Sequence, residues 1–143
     1  MTAHKKDTWS HEYSIETSAS PEAIWRLFCD VPGWKKWNAG IEQIEMKGPF
    51  AVGTEYIMTP PGQDPLLSRL IEVRENESFV DETRVGDLVV IVSHRIKPLG
   101  AHRTQVTYGA EARGPGCDMI GPEVSSDFPD VLKALVALAE SKE

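Results

Sequence analysis

The chain has 143 residues, 41% of them hydrophobic and 26% charged, ordinary values for a folded domain that buries a stable core without disulfides or a structural metal, which excludes a disordered chain. A net charge of −7 with no local lysine or arginine stripe repels phosphate backbones, so nucleic acid is not expected as a partner. No apolar run reaches the roughly 20 residues a spanning helix needs, and the opening Met1-Thr2-Ala3-His4-Lys5-Lys6-Asp7 lacks the apolar stretch of a secretory signal, so no integral membrane association and a cytoplasmic location are expected.

Residues 1–8 read as a flexible basic arm and residues 9–143 as one domain. Trp9 to Thr17 alternates, with His11, Tyr13 and Ile15 on one face and Ser10, Glu12, Ser14 and Glu16 on the other, which predicts a half-buried strand. Ser20-Pro21-Glu22 predicts a helix start: serine caps, proline takes the first helical position, and the acid lies near the positive end of the dipole. That helix carries Ile24, Trp25, Leu27 and Phe28. Asp30-Val31-Pro32-Gly33 interrupts it, and a second short turn carries Trp34 and Trp37.

From Gly40 to Arg113 the pattern changes to strands punctuated by turn residues. The expected strands are Ile41 to Lys47, Thr54 to Thr59, Leu67 to Arg74, Phe79 to Val85, Leu88 to Lys97 and Arg103 to Ala112. Short connections make them an antiparallel meander of about seven strands once the N-terminal one is added, enough to curl strongly. Val124, Phe128, Val131, Leu132, Leu135, Val136, Leu138 and Ala139 then recur at helical spacing and predict one apolar stripe on a long closing helix. Pro122 suits its first turn. At Pro129 the helix either kinks or restarts with Asp127 as N-cap.

The fold class is thus α+β: a curved antiparallel sheet wrapped around a long C-terminal helix, with two short helices between the first two strands. One helix about 10 Å across does not fill a deep concave face, so large side chains or a ligand must occupy the remainder, and an apolar, ligand-sized cavity is expected there.

This order of elements, with Ser20-Pro21-Glu22-Ala23-Ile24-Trp25 and Asp30-Val31-Pro32-Gly33-Trp34-Lys35-Lys36-Trp37-Asn38, resembles the START-like (SRPBCC) superfamily of helix-grip proteins, which includes polyketide cyclase/dehydrase-type and Bet v 1-like members. Gly53 opening a strand, His94-Arg95-Ile96-Lys97-Pro98, Thr104-Gln105-Val106 and the closing Phe128-Pro129-Asp130-Val131-Leu132-Lys133-Ala134-Leu135 extend the resemblance over nearly the whole chain. It implies binding of sterols, lipids, polyketides or other apolar molecules in the cavity. It also includes a co-chaperone branch that stimulates a chaperone ATPase.

The candidate ligand-binding residues are Trp37, Tyr56, Met58, His94, Tyr108, Val124, Phe128 and Leu132. Trp34 and Trp37 either anchor the short helices or guard the cavity entrance, Trp37 having the better claim to the interior, whereas Trp25 reads as core. His94 lies with Leu88, Val90, Val92 and Ile96 on one strand face. There it is either a donor or general base in an apolar pocket, the one weak catalytic candidate, or a hydrogen-bonded core histidine. His11 is a lesser candidate for the same interior. Tyr56 and Met58 share a face, as do Thr104, Val106 and Tyr108; a tyrosine hydroxyl there can orient a ligand carbonyl.

No metal or cofactor is expected, since Cys29 and Cys117 form no ligand pair and His94 and His102 fall at different levels of a hairpin. Asp81, Glu82, Asp87 and Glu111 show no spacing that dictates acid/base work and read as solvated strand edges and turns. The expected function is binding of a lipid-, sterol- or polyketide-like molecule, with any catalysis cofactor-free and of the cyclase/dehydratase type. The alternative is a protein-interaction module with a filled interior. Enzyme status, ligand identity and the choice of monomer or homodimer stay open.

Overall fold

Strands begin wherever β-branched and aromatic residues alternate with polar ones and end at glycine, proline or paired acidic turns. The computed structural model describes residues 8–141, so the arm expected over residues 1–8 lies, but for Thr8, outside them. Its strands are β1 (Thr8–Thr17), β2 (Gln43–Met46), β3 (Glu55–Thr59), β4 (Leu66–Arg74), β5 (Ser78–Val85), β6 (Leu88–Gly100) and β7 (Arg103–Arg113). They form one antiparallel sheet in the order β1-β7-β6-β5-β4-β3-β2, so the meander runs from one edge and the N-terminal strand closes against the last.

Between β1 and β2 stand helix α1 (Pro21–Cys29) and a 3-10 turn, Val31–Lys36. The Ala23 N–H donates to Ser20 Oγ at 3.1 Å, satisfying one free donor of the first turn. Ile24 and Phe28, one turn apart on α1, are both fully buried. Burial of this kind contributes about 1.5–3 kcal/mol for each large apolar side chain.

The C-terminal helix is two helices, α2 (Cys117–Ser125) and α3 (Phe128–Ser141), and this corrects the expected start. Gly116, at φ +83°, adopts the left-handed conformation that caps α2, and Pro122 sits inside that helix and not in its first turn. At the second proline the restart is what the structure shows: the Val131 N–H donates to the Asp127 carbonyl at 2.9 Å, with Pro129 in the first turn, where its missing donor costs nothing. Phe128, Val131, Leu132, Leu135, Val136 and Ala139 form the buried stripe of α3. The Thr17 hydroxyl donates to Glu140 at 2.6 Å and ties the end of α3 to β1. Helix α2 lies so close to β1 that Gly121 meets the indole of Trp9 with no room for a methyl group.

One irregularity escapes any alternation rule. Between Leu70 and Glu72 the pairing of β4 with β5 shifts by one residue, so Ile71 is partly exposed while Leu70 and Val73 both reach the core.

Candidate active site on the concave face

The inward sides of β3 to β7 meet α1, the 3-10 turn and α3 in one apolar cluster. It contains Trp25, Phe28, Trp34, Trp37, Tyr56, Phe79, Tyr108 and Phe128, with Phe50 packed against it. Rings touch through most of it: Phe79 stacks on His94 at 3.8 Å and on Trp34 at 5.5 Å, Phe28 meets Phe79 edge-on at 4.9 Å, and Phe50 meets Trp25 at 5.8 Å. Where the sequence predicts an open hollow, aromatic side chains occupy much of it. Two depressions lie elsewhere, one of about 330 Å³ on the convex face over Gly109, Ser93 and Glu12, and one of about 240 Å³ where Leu27 and Gly33 face Leu138.

Among the polar side chains buried here are His94, Tyr56, Asp81 and Tyr108, with Ser68 opposite Tyr56. His94 is 8% exposed and its Nδ1 lies 3.1 Å from the Phe79 carbonyl. A carbonyl only accepts, so Nδ1 carries the proton and Nε2 keeps its lone pair. Burial holds the imidazole well below its usual range, at about 3, so it stays neutral. Tyr56 donates to the Asp81 carboxyl in a short hydrogen bond. Asp81 is 7% exposed, and burial pushes its pKa up to about 7, although the Tyr56 hydrogen bond pulls the other way. Tyr108 is fully enclosed, and its hydroxyl has no hydrogen-bond partner. Beside it stand the His94 ring at 4.6 Å and the Phe128 ring at 5.5 Å, both nearly perpendicular, and the hydroxyl bonds to neither.

Of the predicted site residues, the structure brings His94, Tyr108 and Phe128 into direct contact and places Tyr56 against Trp34, at 5.7 Å. Trp37 is buried beside Phe28 at 6.3 Å, and Trp34 is pinned by a 2.9 Å hydrogen bond from its Nε1 to the Phe28 carbonyl. Leu132 is buried in the same cluster, while Met58 and Val124 are partly exposed at its margin, Val124 reaching a second small cluster around Cys117. His11 is exposed against Tyr13 and outside the enclosure.

Asp81 is buried, which overturns the solvated reading for that one acid; Asp87 is exposed, and Glu82 and Glu111 are half-buried. Asp81 shares the inner face of β5 with Phe79 and Thr83, and that phase was its one sequence signal. Its partner Tyr56 lies two strands away, so the pair is invisible along the chain. As a proton-transfer group Asp81 is better matched to neutral pH than His94, because an imidazole held near 3 is a weak base. Among the described residues no cluster of histidine, cysteine and carboxylates suits a metal, and no helix is long and apolar enough to cross a membrane.

The model of the family described as "Polyketide cyclase / dehydrase and lipid transport" matches residues 8–140. The chain belongs to that family. No curated protein sequence matches it. Among solved structures, the polyketide cyclase/dehydrase fold of this chain is similar to the Zhui aromatase/cyclase from Streptomyces sp. R1128, with a TM-score of 0.79 at 15% identity over 93% of this chain and 94% of that one. It is also similar to norcoclaurine synthase from Thalictrum flavum in complex with dopamine and hydroxybenzaldehyde, with a TM-score of 0.76 at 17% identity over 100% of this chain and 96% of that one. A START superfamily protein from Mycobacterium smegmatis gives 0.75 at 17% over 94% and 99%. At such identities the likeness shows the helix-grip fold alone.

Proposed function

We propose that this family member holds a small apolar or aromatic metabolite, lipid-, sterol- or polyketide-like, against the concave face of its sheet. The observation that carries this reading is the Tyr108 hydroxyl, buried among rings with nothing to bond. An unmet buried hydroxyl costs about 1–3 kcal/mol, and phenylalanine would fill the same space without that cost. A core selected for packing alone has no use for it, whereas a ligand oxygen would satisfy it. Asp81 beside Tyr56 adds a group able to gain or lose a proton near neutral pH, which suits cofactor-free cyclase or dehydratase chemistry. The ligand is admitted by displacement of the partly buried side chains at the margin, Phe50, Met58 and Val124. The relatives support the reading in kind: norcoclaurine synthase is held with dopamine and hydroxybenzaldehyde on the same fold.

Native mass spectrometry of protein purified from its own host tests it. A bound species of a few hundred daltons, released on denaturation and absent from a Tyr108→Phe variant, is the expected result; bare chain recovered from metabolite-rich lysate would refute it.

A second reading, a protein-interaction module, is favoured by the ring-filled interior and by the exposed apolar side chains Val52, Leu67, Val85 and Met119. It predicts a partner protein in the same spectra and no small molecule.

A further inference from the structure

We infer that the depression on the convex face is a second binding site, separated by the sheet from the aromatic cluster, and that it takes a small zwitterion: an amino acid with a short aliphatic side chain. The site is built on one row across four strands. In that row Glu12 of β1 pairs with Gly109 of β7, Gly109 with Ser93 of β6, and Ser93 with Val80 of β5. The hollow measures about 330 Å³, near the lower end of the range for small-molecule sites.

The hollow exists because position 109 carries no side chain, and nothing in the fold asks for that. Gly109 lies inside an interior strand, where glycine weakens a sheet, and its backbone is outside the left-handed region that favours glycine. A Cβ there would crowd the Ser93 hydroxyl at 2.7 Å, the end of a short side chain that can rotate away, and would meet Glu12 Cγ at an ordinary 3.5 Å. A strand glycine that neither backbone nor packing requires marks a place where another molecule approaches closely.

The lining sets the ligand's chemistry. Glu111 is engaged by Arg113 at 2.8 Å, whereas Glu12 and Arg95, which flank the hollow with opposite charges, form no ion pair among the described residues. The Ser93 hydroxyl reaches only the Gly109 carbonyl, at 3.5 Å, the outer limit of a hydrogen bond. Buried Val80 and half-buried Ile91 make an apolar wall. An ammonium group against Glu12, a carboxylate against Arg95 and the Ser93 hydroxyl, and an aliphatic side chain on Val80 and Ile91 match these groups one to one. A second copy of the chain matches them worse, because a hollow set against its own image encloses a void.

The probes are L-leucine, isoamylamine and isocaproate: the amino acid, the same molecule without its carboxylate, and the same molecule without its amine. They are titrated into isotope-labelled protein at neutral pH and low salt, where exposed charges are least screened, and followed by amide NMR. Leucine shifts the Gly109 and Ser93 amides along a saturating curve and binds about fivefold tighter than either single-charge analogue, the contribution of one modest ion pair. Glu12→Gln lowers leucine to the affinity of isocaproate, and Arg95→Gln lowers it to that of isoamylamine; both side chains are exposed, so neither variant disturbs the core. Gly109→Ala puts a methyl group into the hollow and weakens leucine binding without lowering the urea midpoint. Equal binding of the three probes, no saturable shift at Gly109, full affinity in both charge variants, or a lowered midpoint in Gly109→Ala overturns the site. Each of those results leaves the concave-face reading standing, and shifts confined to inner-face residues such as His94 and Tyr108 would move leucine to that face and overturn the site as well.

Discussion

Tyr108→Phe is expected to make the protein more stable. The phenol oxygen is wholly enclosed and unbonded, so its removal relieves a desolvation cost of about 1–3 kcal/mol. The ring contacts with His94, Phe128 and Phe28 survive, because phenylalanine has the same ring. A net gain of about 1–2 kcal/mol, with a urea dependence of roughly 1–3 kcal/mol per molar, moves the unfolding midpoint up by about 0.5–1 M. Equilibrium urea unfolding followed by tryptophan fluorescence measures it, with the slope unchanged. A midpoint lowered by 0.5 M or more would show that the hydroxyl has a partner, and the argument that it waits for a ligand would fail. A stabilising loss of function is the signature of a site kept at a cost to the fold.

Asp81 and His94 make opposite demands on pH. The raised carboxyl contributes stability that is complete below its unfolded value of 3.8 and lost as pH rises through about 7; the depressed imidazole contributes stability that is complete above 6.5 and lost as pH falls through about 3. Between pH 4 and 6.5 the two slopes cancel in the native protein, whereas Asp81→Asn falls in stability with acid by about 1.4 kcal/mol per unit relative to it; parallel curves in urea titrations would refute the assignment. Tyr56→Phe strips the donor from a buried carboxyl and costs about 1–3 kcal/mol in the same assay, with a further rise in the Asp81 pKa visible by carbon NMR; an unchanged midpoint would mean the pair is not formed. Gly121→Ala drives a methyl into the Trp9 indole and costs about 1–3 kcal/mol, with a shifted Trp9 resonance; full stability would show that α2 does not dock on β1 as seen.

The elements were legible because their signals are local. Ser20 and Pro21 mark one helix start, and the alternation of Leu88, Val90, Val92, His94 and Ile96 sets the inward face of β6 without help from other strands. The site was legible only in part. Tyr56, His94, Tyr108 and Phe128 stand where their strand or helix phase puts them. Asp81 was hidden because a carboxylate reads as solvated until a hydrogen-bond donor two strands away is known. The bulge at Ile71 and the start of α2 at Cys117 depend on pairing and docking, and a chain reading has access to neither. The extent to which rings fill the hollow is likewise a sum over many elements. No single segment, not even the tryptophan-bearing 3-10 turn, carries it.

The central claim is that Tyr108 is reserved for a ligand atom. A crystal structure of protein purified from its own host, at a resolution that shows ordered water, tests it most directly. The account predicts density for a small organic molecule with an oxygen at about 2.5–3.0 Å from the Tyr108 hydroxyl and the margin residues displaced. Rings packed as described here, with that hydroxyl bonded to a buried water or a protein group, would contradict it.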